Sequence, residues 1–409
     1  MSDRPHLFIG GSWTTPSTPA HFTVIEAATE KPLGSAALAA RSDIDAAVVA
    51  ARTAFDGPWR SLSHDARADL LDAYAGALRA RGRDTAELVS RENGMPISLS
   101  KGANGIAPAS IIAYYARLIR DSADQDTRAS VFGGRTVVRR EPVGVVAAIT
   151  PWNYPQALAA MKIGPALAAG CTVVLKPAPE TALDAYAFAD AALDAGLPAG
   201  VINVVPADRD ESAYLVAHPG IDKVAFTGST GAGRAIGQMC GGLLRPVTLE
   251  LGGKSASIVL PDADLDTYVR ALPEVSLANT GHTCHASTRI LAPRARWHEV
   301  VSAVTDTVAA LSIGDPLDRT TAIGPLVSAA QRDRVLGFIE SGRSEGFPIT
   351  TGGGTPQAQA QGWFVEPPVF ADVDNSARIA QEEIFGPVLT ITGYDDEDEA
   401  VPIANASPY

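Results

Sequence analysis

The chain has 409 residues and a net charge of −13 at pH 7, with 46% hydrophobic and 19% charged residues. This length suits about two or three domains, and the composition is that of an ordinary globular protein. The acidic balance argues against nucleic acid or an anionic membrane as a partner. The polar N-terminal residues lack the apolar core of a signal peptide, and no apolar run approaches the roughly eighteen residues of a membrane span, so we expect a cytoplasmic protein without membrane partners.

The N-terminal part predicts two amphipathic helices, over 42–54 and 65–93, that pack on a sheet. A following segment, 129–141, predicts an exposed ribbon that turns at Gly134. The positions expected to be buried on the two helices are Ile44, Val48, Ala51, Leu70, Leu71, Leu78 and Leu88.

Between residues 143 and 251, short β-branched runs alternate with longer stretches rich in Ala, Leu and Met. This alternation is typical of a parallel sheet covered by helices on both faces. A second α/β unit begins after Gly252, so the predicted fold class is α/β. The predicted strands cover 145–149, 172–175, 201–205, 223–226, 247–251 and 255–260, and the predicted helices cover 157–169, 182–195, 211–217 and 231–239.

Ligands of open parallel sheets bind outside the carboxyl ends of the strands. Asn153, Lys176, the glycine-rich run 228–233 and Glu250 all fall there. Glycine-rich turns are common, and this one is informative because it follows a strand and precedes a helix. Backbone N–H groups at such a turn suit the phosphates of a dinucleotide.

Three cysteines, Cys171, Cys240 and Cys284, are spaced too widely for a metal-binding pattern, so no metal site is predicted and a reducing compartment is expected. Cys171 and Cys240 lie among small residues and are predicted to fill the core or its margin. Cys284 lies in a polar, glycine-bearing segment, 279–289, which favours a reactive thiolate over an inert buried thiol.

Two further side chains are candidates for the chemistry of a thiol nucleophile. Glu250 precedes two glycines, which would let the backbone turn and give the carboxylate room to act as a general base. Its alternative is a simple strand-end charge. Asn153 is a turn residue between Pro151 and Pro155, or an amide that stabilises an oxyanion.

Six short blocks occur in one order, spanning Pro151 to Pro387. They are Thr150-Pro-Trp-Asn-Tyr-Pro155, Thr172-Val-Val-Leu-Lys-Pro177, Phe226-Thr-Gly-Ser-Thr-Gly-Ala-Gly233, Val247-Thr-Leu-Glu-Leu-Gly-Gly-Lys254, the Gly281–Cys284 block and Gln381-Glu-Glu-Ile-Phe-Gly-Pro387. Together these blocks resemble the aldehyde dehydrogenase superfamily. Two further strings, 7–13 and 92–96, extend the resemblance towards the N-terminus.

The resemblance implies a Rossmann-like cofactor domain over 1–122 and 143–252 and a second α/β catalytic domain over 253–409. It implies that the ribbon, 123–142, is part of an oligomerisation arm, and it favours a homodimer or homotetramer. Family members continue past Ser407-Pro-Tyr409, so we expect a C-terminally shortened member.

The same resemblance implies the reaction, oxidation of an aldehyde to a carboxylic acid with NAD(P)+. Cys284 would be the nucleophile, Asn153 with the Cys284 backbone N–H would hold the oxyanion, and Glu250 would activate the water that hydrolyses the thioester. Retention of this glutamate argues against a CoA-acylating relative. The cofactor-binding residues carried over from the family are Thr150, Trp152, Lys176, Ala178, Pro179, Glu180, Gly228, Ser229, Gly233, Leu251, Glu383 and Phe385.

Two departures from the family pattern bear on the site. Pro179 stands where many NAD-dependent members have an acidic residue, and Glu180 follows one place later. A carboxylate on the ribose selects against a 2′-phosphate, so NAD is preferred and NADP use stays open. His282 and His285 flank the thiol. Either an imidazolium lowers the thiol pKa, or both rings point away as ordinary polar residues that line the substrate funnel, because neighbours in an extended segment face opposite ways. We favour the second.

Two other functions compete with this interpretation. A truncated paralogue that binds nucleotide without turnover is favoured by the short C-terminus. A cysteine–histidine hydrolase would use the same thiol but leaves the glycine-rich strand–helix turn unexplained. The residues do not indicate which aldehyde is the substrate.

Overall fold

A computed structural model of the protein describes residues 3–409. It contains sixteen strands and thirteen α-helices within that range, numbered here in chain order. The strands are β1 (7–9), β2 (12–14), β3 (21–26), β4 (31–37), β5 (125–129), β6 (135–139), β7 (145–149), β8 (172–176), β9 (202–204), β10 (223–227), β11 (247–250), β12 (256–258), β13 (289–293), β14 (349–351), β15 (369–370) and β16 (389–394).

Several helices are short, and the longest has 30 residues. The helices are α1 (41–56), α2 (64–93), α3 (97–100), α4 (107–120), α5 (155–168), α6 (186–194), α7 (209–217), α8 (230–242), α9 (265–276), α10 (297–309), α11 (329–344), α12 (378–381) and α13 (397–405). Within the described residues, none of them is long and apolar enough to cross a membrane.

The chain divides into two compact units. Within the described residues, the first comprises 3–24, 32–89 and 101–250, and the second comprises 25–31, 90–100 and 251–409. The short segments 25–31 and 90–100 thus belong to the second unit, although no local sequence pattern indicates it. The functional domains proposed from the sequence stay predictions.

The first unit is built on a seven-stranded sheet in the order β11-β10-β7-β8-β9-β1-β2. The five strands from β11 to β9 run parallel, which confirms the predicted parallel sheet. Every residue of β7 and β8 is buried. Continuous burial of this kind is expected where both faces of a parallel sheet are covered, and it explains why these strands read as unbroken apolar runs.

Helix α1 packs on this sheet against β7, β8 and β9, as predicted. The apolar face of α2 belongs to the same hydrophobic cluster as the sheet. Ile44, Val48 and Ala51 on α1 are buried. On α2 the buried stripe passes through Leu71, Tyr74, Ala75 and Leu78. Leu70 and Leu88, expected in this stripe, are only half-buried, because the spacing of three to four residues places them at its margin.

The ribbon of β5 and β6 is an antiparallel pair from Gln125↔Arg139 to Ala129↔Arg135. Gly133 and Gly134 make the turn with φ of 86° and 81°. Val131 and Phe132 at its tip are almost fully exposed. The predicted exposed ribbon and its glycine turn are therefore confirmed.

The second unit is built on a five-stranded sheet in the order β12-β13-β16-β15-β14. Strand β12 falls inside the predicted 255–260 strand and pairs in parallel with β13. Two apolar clusters flank the sheet, one around Phe338 and Phe370 and the other around Val304 and Ile391. Each fully buried aliphatic or aromatic side chain in them contributes about 1.5–3 kcal/mol.

Candidate active site

Parallel pairing brings the candidate residues of the first unit to one edge of its sheet. Ile149 pairs with Lys176 and Phe226, and Thr227 pairs with Glu250. The carboxyl ends of β7, β8, β10 and β11 therefore lie side by side. The predicted placement of the candidate residues at this edge is confirmed, and their roles stay predictions.

The segment after β7 is held close to the next strand. The Thr150 backbone N–H donates to the Lys176 carbonyl at 3.1 Å, and Thr150 is buried. Asn153 is also buried, at 3% exposed, and Trp152 is half-buried. Helix α5 begins at Pro155, which suits the first helical turn because proline has no N–H to leave unpaired. Asn153 is thus fixed between a strand end and a helix start.

Lys176 is a buried amine at the end of β8. Burial lowers its pKa to about 8, and the charges of Glu180 and Asp208 partly oppose that shift. Glu180 lies with Pro179 in a short 3₁₀ turn over 179–181 and is half-exposed, and Ala178 before it is buried. Asp208 caps helix α7. No sequence pattern predicts its influence on Lys176, because the two residues are far apart in sequence.

Helix α8 begins directly beyond the end of β10, as predicted for a phosphate-binding turn. The Ser229 side chain caps it by accepting from the Ala232 N–H at 3.3 Å, and Gly228 N–H donates to the Glu250 carbonyl at 3.0 Å. A Cβ added at Gly231 would meet no atom within 4 Å. The first turn carries no acidic residue. These residues fit a dinucleotide, because the helix N-terminus presents N–H groups to an open space and repels no anion.

Lys162 on α5 is a polar residue that the sequence did not single out. It is buried and donates a hydrogen bond to the Thr227 hydroxyl. Burial lowers its pKa to about 8, opposed by the charge of Glu250. Glu250 itself is exposed at the end of β11. The available signal was a single lysine inside an otherwise apolar helix, since lysines are rarely fully buried unless paired.

In the second unit, Cys284 and His285 are the central residues of a tight turn. The Ala286 N–H donates to the Thr283 carbonyl at 3.1 Å and closes this turn. Cys284 is half-buried and His285 exposed, and the Cys284 Sγ lies 3.9 Å from the His285 Nδ1. The expectation that both histidines point away is therefore wrong for His285. It assumed extended backbone, whereas adjacent side chains in a turn can lie together.

The backbone that leads into this turn is left-handed over three residues. Asn279, Thr280 and Gly281 have φ of 52°, 56° and 75°. The Thr280 hydroxyl accepts from the Gly324 N–H at 3.0 Å and stabilises the strained threonine. A Cβ at Gly281 would lie 2.2 Å from the Gly386 carbonyl, so only glycine permits this approach.

His282 is completely buried in the second unit. Its ring lies 5.8 Å from that of Phe385. Burial lowers the pKa of His282 to about 3, so the ring is neutral at physiological pH and supplies no imidazolium to the thiol. Because the ring is buried, it also does not line a substrate funnel. The expectation that the histidines line such a funnel is therefore wrong for His282.

Gly252 and Gly253, which follow Glu250 in the chain, pack closely against Glu383 and Cys284 in the second unit. Gly253 N–H donates to Glu383 Oε1 at 3.3 Å. A Cβ at Gly252 would lie 2.0 Å from Glu383 Oε2, and one at Gly253 would lie 2.9 Å from the Cys284 carbonyl. Neither glycine has a positive φ. The sequence suggested that they allow a tight turn, whereas in the structure their small size allows close packing. Leu251, which precedes them, is half-buried.

A small cavity lies beside the Cys284 turn, lined by Lys254, Thr283, Glu383 and Phe385 among others. Burial raises the pKa of Glu383, opposed by the Gly253 N–H and the charges of Arg334 and Lys254. Burial, with a smaller contribution from the charge of Arg289, lowers the pKa of Lys254 to about 7. The predicted cofactor-binding residues Glu383 and Phe385 thus line the same cavity as Thr283, which precedes Cys284 in the chain.

Comparisons with known proteins identify relatives over the whole described chain. The Aldehyde dehydrogenase family model matches residues 13–409. Geranial dehydrogenase of Castellaniella defragrans is 52% identical over 408 residues, which are 100% of this chain and 85% of that protein. An aldehyde dehydrogenase of Mycobacterium tuberculosis, solved with NAD+, is 45% identical with a TM-score of 0.97, covering 100% of this chain and 84% of that one.

A third relative is a mutant of aldehyde dehydrogenase C from Pseudomonas syringae, solved with NAD+ and octanal. It is 39% identical, with a TM-score of 0.92, over 98% of this chain and 82% of that one. The parallel sheet and its glycine-rich edge are of the Rossmann-like α/β class. The chain belongs to the aldehyde dehydrogenase family. It is an oxidoreductase that converts an aldehyde to a carboxylic acid with NAD(P)+ as the hydride acceptor.

Proposed function

We propose that Cys284 is the nucleophile of this reaction. Its half-buried thiol lies in a polar turn, beside an imidazole and next to the cavity of Glu383 and Phe385. Cys171 and Cys240 are buried, and burial raises the pKa of both thiols. A nucleophilic cysteine needs access and an accessible thiolate. Of the chain's cysteines, Cys284 alone combines access with a basic neighbour, and this observation carries the assignment.

The Cys284 thiolate would attack the aldehyde carbon, forming the C–S bond while the carbonyl electrons move to oxygen. The Asn153 amide and the Cys284 backbone N–H are the proposed donors to that oxyanion. Asn153 suits the role because it is buried between a strand end and a helix start, and a preorganised donor needs no rearrangement during the reaction. When bound, NAD(P)+ accepts the hydride that leaves the substrate carbon.

Glu250 is the proposed general base for hydrolysis of the thioester. Its carboxylate is exposed at the end of an edge strand, where water reaches it. The buried amine of Lys162 interacts with it electrostatically. An ionised carboxylate can take a proton from the attacking water, which releases the carboxylic acid and regenerates the thiol.

NAD is the proposed preferred cofactor, with NADP as a weaker alternative. The N-terminus of α8 would hold the pyrophosphate, and Thr150, Trp152 and Lys176 would lie along the ribose side. Leu251, Glu383 and Phe385 are proposed for the nicotinamide side. The charge of Glu180 reaches Lys176, so this carboxylate opposes a 2′-phosphate at the same amine, although Pro179 occupies its usual place.

A neutral, branched or medium-chain aldehyde such as geranial is the proposed substrate. The 52% identity to geranial dehydrogenase exceeds the 38% identity to a betaine aldehyde dehydrogenase of Rhizobium etli. The segment 276–289 around Cys284 carries no Asp, Glu, Phe, Tyr or Trp. A quaternary ammonium substrate is recognised by such side chains, so their absence from this segment favours an uncharged substrate.

A cytoplasmic homodimer or homotetramer is the proposed working state. The exposed Val131 and Phe132 at the ribbon tip suit burial by another copy. The three cysteines form no disulfide, which is compatible with a reducing compartment.

The nucleophile is tested by Cys284→Ser, assayed for reduced nicotinamide with geranial, octanal and betaine aldehyde. Turnover should fall more than about a hundredfold, with NAD binding unchanged by calorimetry. Cys240→Ala, which removes a buried thiol, should keep full activity. A Cys284→Ser variant above a hundredth of the wild-type kcat would contradict the assignment, and a higher kcat/KM for betaine aldehyde than for geranial would contradict the substrate proposal.

A further inference from the structure

The turn at Cys284 places a second reactive group beside the thiol. Cys284 and His285 occupy its two central positions, and the Ala286-to-Thr283 hydrogen bond holds them there. The Sγ–Nδ1 separation of 3.9 Å lies within the range of a sulfur hydrogen bond. The imidazole is exposed to solvent, so a proton that it accepts can leave to water.

We propose that His285 is a catalytic base that takes the Cys284 thiol proton before the attack on the aldehyde. The inference rests on the proposed role of Cys284 as the nucleophile. The S–H bond breaks, its electron pair stays on Sγ, and the proton binds Nδ1 to give an imidazolium beside a thiolate. The thiolate then forms the C–S bond, and the imidazolium releases its proton to solvent. No redox partner is needed for this step.

Other groups of the second unit do not replace His285 in this role. His282 has a pKa of about 3 because of its burial and is not a base for the thiol near neutral pH. Glu383 and Lys254 line the adjoining cavity with Thr283 and Ala286, and they are the charged groups nearest to the turn in that cavity. Glu383 accepts from Gly253 N–H, which occupies one of its oxygens. An imidazole in contact with a thiol is the arrangement that lowers a cysteine pKa in other thiol enzymes.

The test is the rate of Cys284 alkylation by iodoacetamide between pH 5.5 and 9.5, in the cofactor-free protein. Wild type, His285→Gln and His285→Ala are compared, with Cys284→Ser subtracted for labelling elsewhere. An opposite charge within about 4–6 Å lowers a pKa by one unit or more, so at pH 7 His285→Gln should react about tenfold more slowly and its profile should shift to higher pH. His298→Gln, an exposed histidine of the same unit, is the matched control and should follow wild type.

Superimposed alkylation profiles for wild type and His285→Gln would overturn the proposal. Steady-state kinetics provide a second measurement: His285→Gln should lower kcat/KM for the aldehyde more at pH 6.5 than at pH 9, with NAD affinity unchanged. An equal loss at all pH values would mean that His285 only shapes the turn, and would also overturn it. Failure of Cys284 as the nucleophile is distinguished separately, because Cys284→Ser would then remain active.

Discussion

Replacement of His282 by glutamine should change how the protein's stability depends on pH. His282 is completely buried and its pKa is lowered to about 3 in the folded state by that burial alone. In the unfolded chain the imidazole has its ordinary pKa of about 6.5. Below pH 6.5 the unfolded chain therefore binds a proton that the folded protein does not, so acid favours unfolding.

The magnitude follows from the shift. Each pH unit between the two pKa values changes the free energy of unfolding by about 1.4 kcal/mol. The wild-type protein should lose roughly 2 kcal/mol from this group between pH 6.5 and 5, and roughly 3 kcal/mol by pH 4. The loss is complete only near pH 3, and above pH 6.5 the contribution is constant. His282→Gln removes the titrating group but keeps a polar side chain, so this part of the acid sensitivity should disappear.

Urea unfolding of both proteins at half-unit steps from pH 8 to 4 measures the effect as the difference between their free energies of unfolding. Carboxylates and other histidines titrate in both proteins and cancel in that difference. His298→Gln, which removes an exposed imidazole, should run parallel to wild type. If the wild-type and His282→Gln curves stay parallel from pH 7 to 5, the burial-driven shift of His282 is refuted.

Two other substitutions test the proposed chemistry. Glu250→Gln should block thioester hydrolysis and leave acylation intact, so rapid mixing should show a burst of about one reduced cofactor per active site followed by turnover at least tenfold slower; slow formation of reduced cofactor without a burst would place Glu250 earlier in the reaction. Glu180→Ala should raise kcat/KM with NADP relative to NAD several-fold, because a negative charge beside Lys176 is lost. An unchanged cofactor ratio would show that Glu180 does not influence the ribose.

Much of the first unit could be predicted because its central strands, β7 and β8, are buried on both faces. The strand predicted over 145–149 has those bounds in the structure, and the one predicted over 172–175 ends one residue later. A strand buried on both faces must be apolar throughout, so its limits are visible in the sequence. Because these strands run parallel, their carboxyl ends meet, which was enough to predict that Asn153, Lys176 and Glu250 lie at one edge of the sheet.

The second unit was less predictable because its decisive contacts are non-local. Segments 25–31 and 90–100 belong to it through pairs such as the Trp363 N–H with the Ala27 carbonyl at 3.2 Å and the Ile97 N–H with the Pro316 carbonyl at 2.7 Å. No local pattern encodes a partner so distant in the sequence. The left-handed stretch at Asn279–Gly281 was equally hidden, because threonine rarely adopts that conformation and only the surrounding structure stabilises it.

The net charge of −13 says nothing about the buried lysines near the proposed site residues. Lys162 and Lys176 in the first unit have pKa values of about 8, and Lys254 in the second has one of about 7, in each case mainly through burial. An ordinary lysine pKa is near 10.5, so each buried amine lowers the stability of the folded protein by a few kcal/mol at neutral pH. Selection for stability alone would remove such groups. Strongly perturbed pKa values cluster at functional sites. Lys176 is itself a proposed cofactor-binding residue, Lys162 interacts with Glu250, and Lys254 interacts with Glu383. They make the local environment favourable for phosphates and carboxylates in a protein whose overall charge repels anions.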